Sequence, residues 1–105
     1  MSNRITIKML EARVNQLNNW LGYPTEHWKP YRVDGNLVAN PNHYYIGMAY
    51  GGYRLEQLCN EGGGARDISP RGTKRETWDY VTAMIAGIEE LEKSAGFRVP
   101  INQSN

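Results

Sequence analysis

The stretch His43–Asn60, HYYIGMAYGGYRLEQLCN, decides the fold. In its first half Tyr44, Ile46, Met48 and Tyr50 alternate with Tyr45, Gly47 and Ala49, the period of two that marks a strand. Gly51-Gly52 then supplies a dipeptide able to adopt the positive backbone angles of a two-residue hairpin loop. Such a loop sets Tyr50 opposite Tyr53, Met48 opposite Leu55 and Tyr44 opposite Cys59 on one face, which is apolar apart from Ile46 facing Gln57. A helix over Tyr53–Asn60 is the competing reading. It would begin after two glycines without a cap and carry a poorer apolar stripe, so the strand is preferred.

Working outward, Pro30–Val33 and Asn36–Ala39 flank Asp34-Gly35, a second hairpin signal, with Val33 expected opposite Asn36 and Tyr31 opposite Val38. The turn Asn40-Pro41-Asn42 separates the two hairpins. Upstream, Ile7, Leu10, Val14, Leu17 and Leu21 recur at three and four and predict a helix over Ile7–Leu21, with Met9 and Trp20 widening the stripe. Gly22 and Pro24 end it. Lys8, Glu11, Asn15 and Asn18 fall on its exposed side, and Arg13 flanks the stripe, either solvated or leaning over a neighbouring surface. Downstream, Thr73 and Glu76 stand in the T-x-x-E relation of a capping box, which starts a last helix over about Lys74–Ala95. Its buried face is Trp78, Val81, Ile85, Ile88 and Leu91; Gly96 stops it, and residues 97–105 form a tail that is loose or docks through Phe97 and Ile101. The predicted architecture is α+β, α-β-β-β-β-α, with one antiparallel sheet covered by an N-terminal and a C-terminal helix.

At 105 residues the chain suits one domain with a single modest core, and stability is expected to lean on a homo-oligomer. A net charge of +1 argues against a protein that coats nucleic acid, so any anion site must be local. The lone Cys59 excludes an internal disulfide and a cysteine zinc site, and points to a reducing compartment. Lys8, Glu11 and Arg13 interrupt the apolar residues before a signal-peptide core forms, and no apolar run has the length of a membrane span. The expectation is a cytoplasmic protein without a membrane segment.

The stretch Asn60–Glu76, NEGGGARDISPRGTKRE, carries the candidate chemistry. Arg71, Lys74 and Arg75 crowd a helix start whose dipole prefers anions, where each exposed cation costs about 0.3–1 kcal/mol. Either a phosphate or pyrophosphate is held there, or the loop is basic and solvated, paired with Glu61 or Asp67. Tyr50 and Tyr53, beside the double glycine, offer a flat ligand a stacking surface. Asn60 has the donor and acceptor to match a purine edge, or serves a turn.

Enzyme readings are weaker. His27 and His43 lie on connections with no spacing that suggests a common metal, and read as surface or turn residues. Cys59 is expected to face the core as an inert thiol. Ser69 and Asp67 lack a general base placed by any motif, and GGGARDISPRGTK does not match a phosphate-binding P-loop, because Thr73 separates Gly72 from Lys74. No catalytic residue, metal or cofactor is assigned.

The segments AYGGYRL (49–55), NEGGG (60–64) and GTKRE (72–76) resemble a pattern found in small proteins of tailed phages and prophages. Their order also resembles that of the Thoeris anti-defence proteins, which act as nucleotide sponges. That resemblance implies a non-enzymatic protein that sequesters a cyclic or ADP-ribose-type nucleotide signal. It further implies an aromatic stack at Tyr50 or Tyr53, an asparagine at Asn60 and an arginine–threonine pair at Arg71 and Thr73, with Arg13 as a further phosphate partner. Two rivals remain open: an RNA-binding module of double-stranded-RNA-binding outline, and a protein that inhibits a host protein through its tyrosine-rich sheet face.

Overall fold

The computed structural model describes residues 4–95. In chain order the elements are α1 (Ile7–Leu21), β1 (Trp28–Val33), β2 (Asn36–Ala39), β3 (Tyr44–Ala49), β4 (Gly52–Leu58), β5 (Ala65–Asp67) and α2 (Lys74–Ala95). The α+β class and the two flanking helices agree with the sequence reading. The stop at Gly96 and the tail with Phe97 and Ile101 lie outside the described residues. No helix among the described residues is long and apolar enough to cross a membrane.

Helix α1 starts where the Thr6 hydroxyl accepts from the Met9 amide and stops where Gly22 takes φ +74°. Both devices satisfy backbone groups that a helix end leaves open. Leu10, Val14, Leu17 and Leu21 are buried along the predicted stripe. Asn18 departs from expectation: instead of lying on the exposed side it is completely buried. Its Oδ1 accepts from the Tyr44 amide at 2.9 Å, and its Nδ2 donates to the Tyr44 carbonyl at 3.0 Å and to Asn15 Oδ1 at 3.1 Å. One side-chain amide thus mimics a neighbouring strand for the first residue of β3. Periodicity cannot reveal this, because the partner lies in another element.

The strands form two sheets rather than one: a ribbon β1–β2 and a three-stranded sheet in the order β3-β4-β5. In the ribbon, Asp34 and Gly35 take the positive φ angles of the predicted turn, and Val33 pairs with Asn36. The pairing of Tyr31 with Val38 is corrected: after Arg32↔Leu37 the register shifts, and Trp28 pairs with Ala39. In the larger sheet the loop is Tyr50-Gly51, not Gly51-Gly52, with φ +53° and +75°. The pairs are therefore Met48↔Tyr53, Ile46↔Leu55 and Tyr44↔Gln57. Gly52 starts β4, and its lack of a side chain lets the stem of Arg71 lie against it; a Cβ there would come 2.7 Å from Arg71 Cγ. The register slip is two residues, an even number, so Tyr44, Ile46 and Met48 still share a face with Tyr53, Leu55 and Gln57. Cys59, which the expected register put opposite Tyr44 in the core, is exposed instead. Strand β5, hidden in the glycine-rich stretch, pairs with β4 through Glu56↔Asp67, Gln57↔Arg66 and Leu58↔Ala65.

The core joins Val14, Leu17 and Leu21 of α1 to Tyr44, Leu55 and Val81 of β3, β4 and α2. Gln57 replaces Cys59 on this side and is satisfied: Nε2 donates to the Asn42 carbonyl, and Oε1 accepts from Arg66. On α2, Val81 and Thr77 are buried and Ile85 and Ile88 half-buried, but Leu91 is 54 % exposed. The predicted apolar face thus runs past the edge of this chain's own core.

Candidate functional site

The capping box forms as read: the Glu76 amide donates to Thr73 Oγ1 at 3.0 Å, and the Thr73 amide donates to Glu76 Oε1 at 2.8 Å. Just before it, Gly72 and Tyr53 exchange two backbone hydrogen bonds of 2.8 Å. This bridge pins the loop to β4 and carries Arg71 across the start of that strand. There Arg71 Nη1 donates to the Ala49 carbonyl at 3.1 Å, and its guanidinium carbon lies 5.5 Å from the centre of the Tyr50 ring. Lys74 Nζ lies 5.7 Å from the centre of the Tyr53 ring. Two cations and two tyrosines from separate segments therefore meet at the β3–β4 turn. Arg71 also lines a depression of about 190 Å³ with Ser69, Pro70, Gly72, Glu76 and Tyr80.

Tyr50 is the unusual member. It is 97 % exposed, yet holds φ +53°, a region that disfavours bulky L-residues. No packing explains the conformation. The hairpin places an aromatic ring in solvent beside a guanidinium, a surface suited to a flat anionic molecule.

The other predicted site residues stand apart or are occupied. Asn60 lies beyond the far end of β4, roughly 20 Å from Tyr53 at the usual rise per residue. Its Oδ1 accepts from the Gly64 amide at 3.0 Å, so it organises the glycine loop, as the turn reading held. Arg13 stacks over Trp78 at 4.4 Å and donates to Gln16, in a separate depression between α1 and α2. The Thr73 hydroxyl serves the helix cap. Arg75 is exposed in the first turn of α2 and has a contact of its own within the fold.

The histidines correct their reading as separate surface or turn residues. His43 is buried, His27 half-buried, and their ring centres lie 5.7 Å apart in an edge-on arrangement. Tyr45 completes the cluster, 4.8 Å from His27 and stacked on His43 at 6.0 Å. These rings line a cavity of about 320 Å³ with Glu11, Asn15 and Thr25. Burial, and then the neighbouring His43, hold the His27 pKa below its ordinary value. Burial, reinforced by the hydroxyl's 2.8 Å hydrogen bond to Glu56, pushes the Tyr45 phenol up to about 12. The only sequence signal was that each histidine sits at the entry to a strand beside an aromatic residue. Among the described residues no cluster of three or more His, Cys, Asp or Glu side chains is arranged to hold a metal ion.

No family model, curated protein or solved structure matches this chain.

Proposed function

We propose that this chain is a phage-encoded, non-enzymatic binding protein that sequesters a cyclic or ADP-ribose-type nucleotide signal in the cytoplasm of the host. The carrying observation is Tyr50, displayed in solvent at a positive φ with the Arg71 guanidinium 5.5 Å from its ring. In this reading Tyr50 and Tyr53 stack the base, while Arg71 and Lys74 take the phosphates. The distant Asn60 has no part in this cluster. Backbone strain in a solvent-exposed aromatic supports a role outside folding, since a less bulky residue would close the turn at lower cost.

A homo-oligomer accompanies the proposal. Trp28, Tyr31, Val33 and Leu37 of the ribbon, and Leu91 of α2, are exposed apolar groups that a second copy would cover.

The test is thermal unfolding with and without cyclic dinucleotides and cyclic ADP-ribose isomers, paired with mass spectrometry of any small molecule released on denaturation. A ligand present at a hundred times its Kd stabilises by about 2.7 kcal/mol, which is readily measured. Release of an intact nucleotide, or a shift that Arg71→Ala removes, supports the reading. No shift with any of these nucleotides, in a folded sample that releases none, refutes it.

A further inference from the structure

The cavity between α1 and the entry to β3 carries one carboxylate, Glu11, on its wall. Glu11 and Asn15 stand one helical turn apart on α1, and Thr25, His27, His43 and Tyr45 complete the polar and aromatic wall. No lysine or arginine lines it. The Glu11 carboxylate has no ion-pair partner among the described residues. His27, its pKa held below the ordinary 6.5 by burial and then by His43, is mostly neutral at pH 7 and brings little countercharge.

Hydrogen-bond accounting fixes His43 as well. Both Nδ2 hydrogens of Asn18 are used, on Asn15 Oδ1 and the Tyr44 carbonyl, so its 3.4 Å approach to His43 Nδ1 carries no bond. The Pro24 carbonyl, 2.9 Å from His43 Nδ1, can only accept. Nδ1 therefore carries the proton, and in the neutral ring Nε2 is left as an acceptor. Asn15 gives Oδ1 to Asn18, and the Tyr45 hydroxyl is turned to Glu56. What this cavity offers is one carboxylate without a countercharge, the faces of aromatic rings, and neutral polar groups that can donate as well as accept.

We infer that this cavity is a binding site for a small organic cation, a primary amine or diamine, with Glu11 as its counter-charge and the rings of Tyr45 and His27 packed against its methylene and ammonium groups. The volume, about 320 Å³, is at the lower end of the range of small-molecule sites and fits a compact ligand. Aromatic faces attract ammonium groups, by about 0.5–1 kcal/mol at an exposed site. The site is distinct from the Arg71 cluster and does not depend on the nucleotide reading.

The probe is 1,4-diaminobutane at neutral pH, with 1,4-butanediol as its uncharged counterpart, followed by NMR of the histidine and tyrosine ring resonances and by calorimetry. Saturable shifts of His27, His43 and Tyr45 with the diamine, and none with the diol, are expected. Glu11→Gln, a change at an exposed helix position that leaves the fold intact, should weaken binding about tenfold, the effect of losing roughly 1.4 kcal/mol. Tyr45→Phe should retain affinity because the ring, not the hydroxyl, faces the ligand, whereas Tyr45→Leu should lose it. Arg71→Ala should leave diamine affinity unchanged. Absence of a saturable shift, equal response to the diol, or wild-type affinity in a folded Glu11→Gln protein overturns the inference.

Discussion

Replacing Tyr50 by asparagine should make the protein more stable while removing the aromatic surface assigned to the ligand. A left-handed backbone costs an ordinary L-residue about 1–2 kcal/mol, and asparagine is among the few side chains that tolerate it. The change also creates Asn-Gly at positions 50 and 51, the dipeptide preferred in a type I′ turn. Burial opposes nothing, because the Tyr50 side chain is 97 % exposed. The one loss is the stacking of Arg71, about 0.5–1 kcal/mol at an exposed site. The net gain is then about 0–1.5 kcal/mol. In an Arg71→Ala background, where that stack is already gone, it should rise to the full 1–2 kcal/mol. Urea unfolding followed by circular dichroism measures both, with an unchanged m-value showing that the gain is one of stability. If Tyr50→Asn destabilises the protein in both backgrounds, the strain argument fails, and with it the reason for reading Tyr50 as a displayed group.

Asn18→Ala orphans the buried amide and carbonyl of Tyr44 together, so a loss of about 2–5 kcal/mol is expected in urea unfolding; a loss under about 0.5 kcal/mol would show that the bridge between α1 and β3 is dispensable. His27 has a folded pKa below its ordinary 6.5, so its contribution to stability is complete above that pH and is lost as the pH falls through the folded value. Unfolding midpoints between pH 7.5 and 5 should decline, and His27→Phe should flatten the decline. Absorbance titration should find one tyrosine that ionises only near pH 12, and Tyr45→Phe should remove that last step. Arg13→Met should cost about 0.5–1 kcal/mol through loss of its stack on Trp78, without altering nucleotide binding.

Periodicity and turn chemistry made most of the fold legible. The stripe from Ile7 to Leu21, the capping pair Thr73 and Glu76, and Asp34-Gly35 each announce their own local geometry. The hairpin loop was misplaced by one residue because Tyr-Gly is a poor turn signal beside Gly-Gly. What Gly52 makes room for is the stem of Arg71, nineteen positions later in sequence. Part of the candidate site was legible for the same reason: Tyr50, Tyr53, Arg71 and Lys74 flank turns and a helix start that local chemistry marks. Asn60 lies past the other end of the same strand, so the pairing that sets Tyr53 at the turn carries Asn60 away from it.

The amino-acid sequence by itself determined the helices, the existence of the two hairpins and the shared face of Tyr44, Ile46, Leu55 and Gln57, because these depend on contacts a few residues apart. Only the tertiary structure decided which residues meet across the chain. It buried Asn18 against Tyr44, laid Arg13 over Trp78, brought His27 to His43 and Tyr45, and set Arg71 beside Tyr50. Those encounters depend on the register of strands and the crossing of helices, where a side chain's partner is set by the path of the whole backbone rather than by its neighbours in sequence.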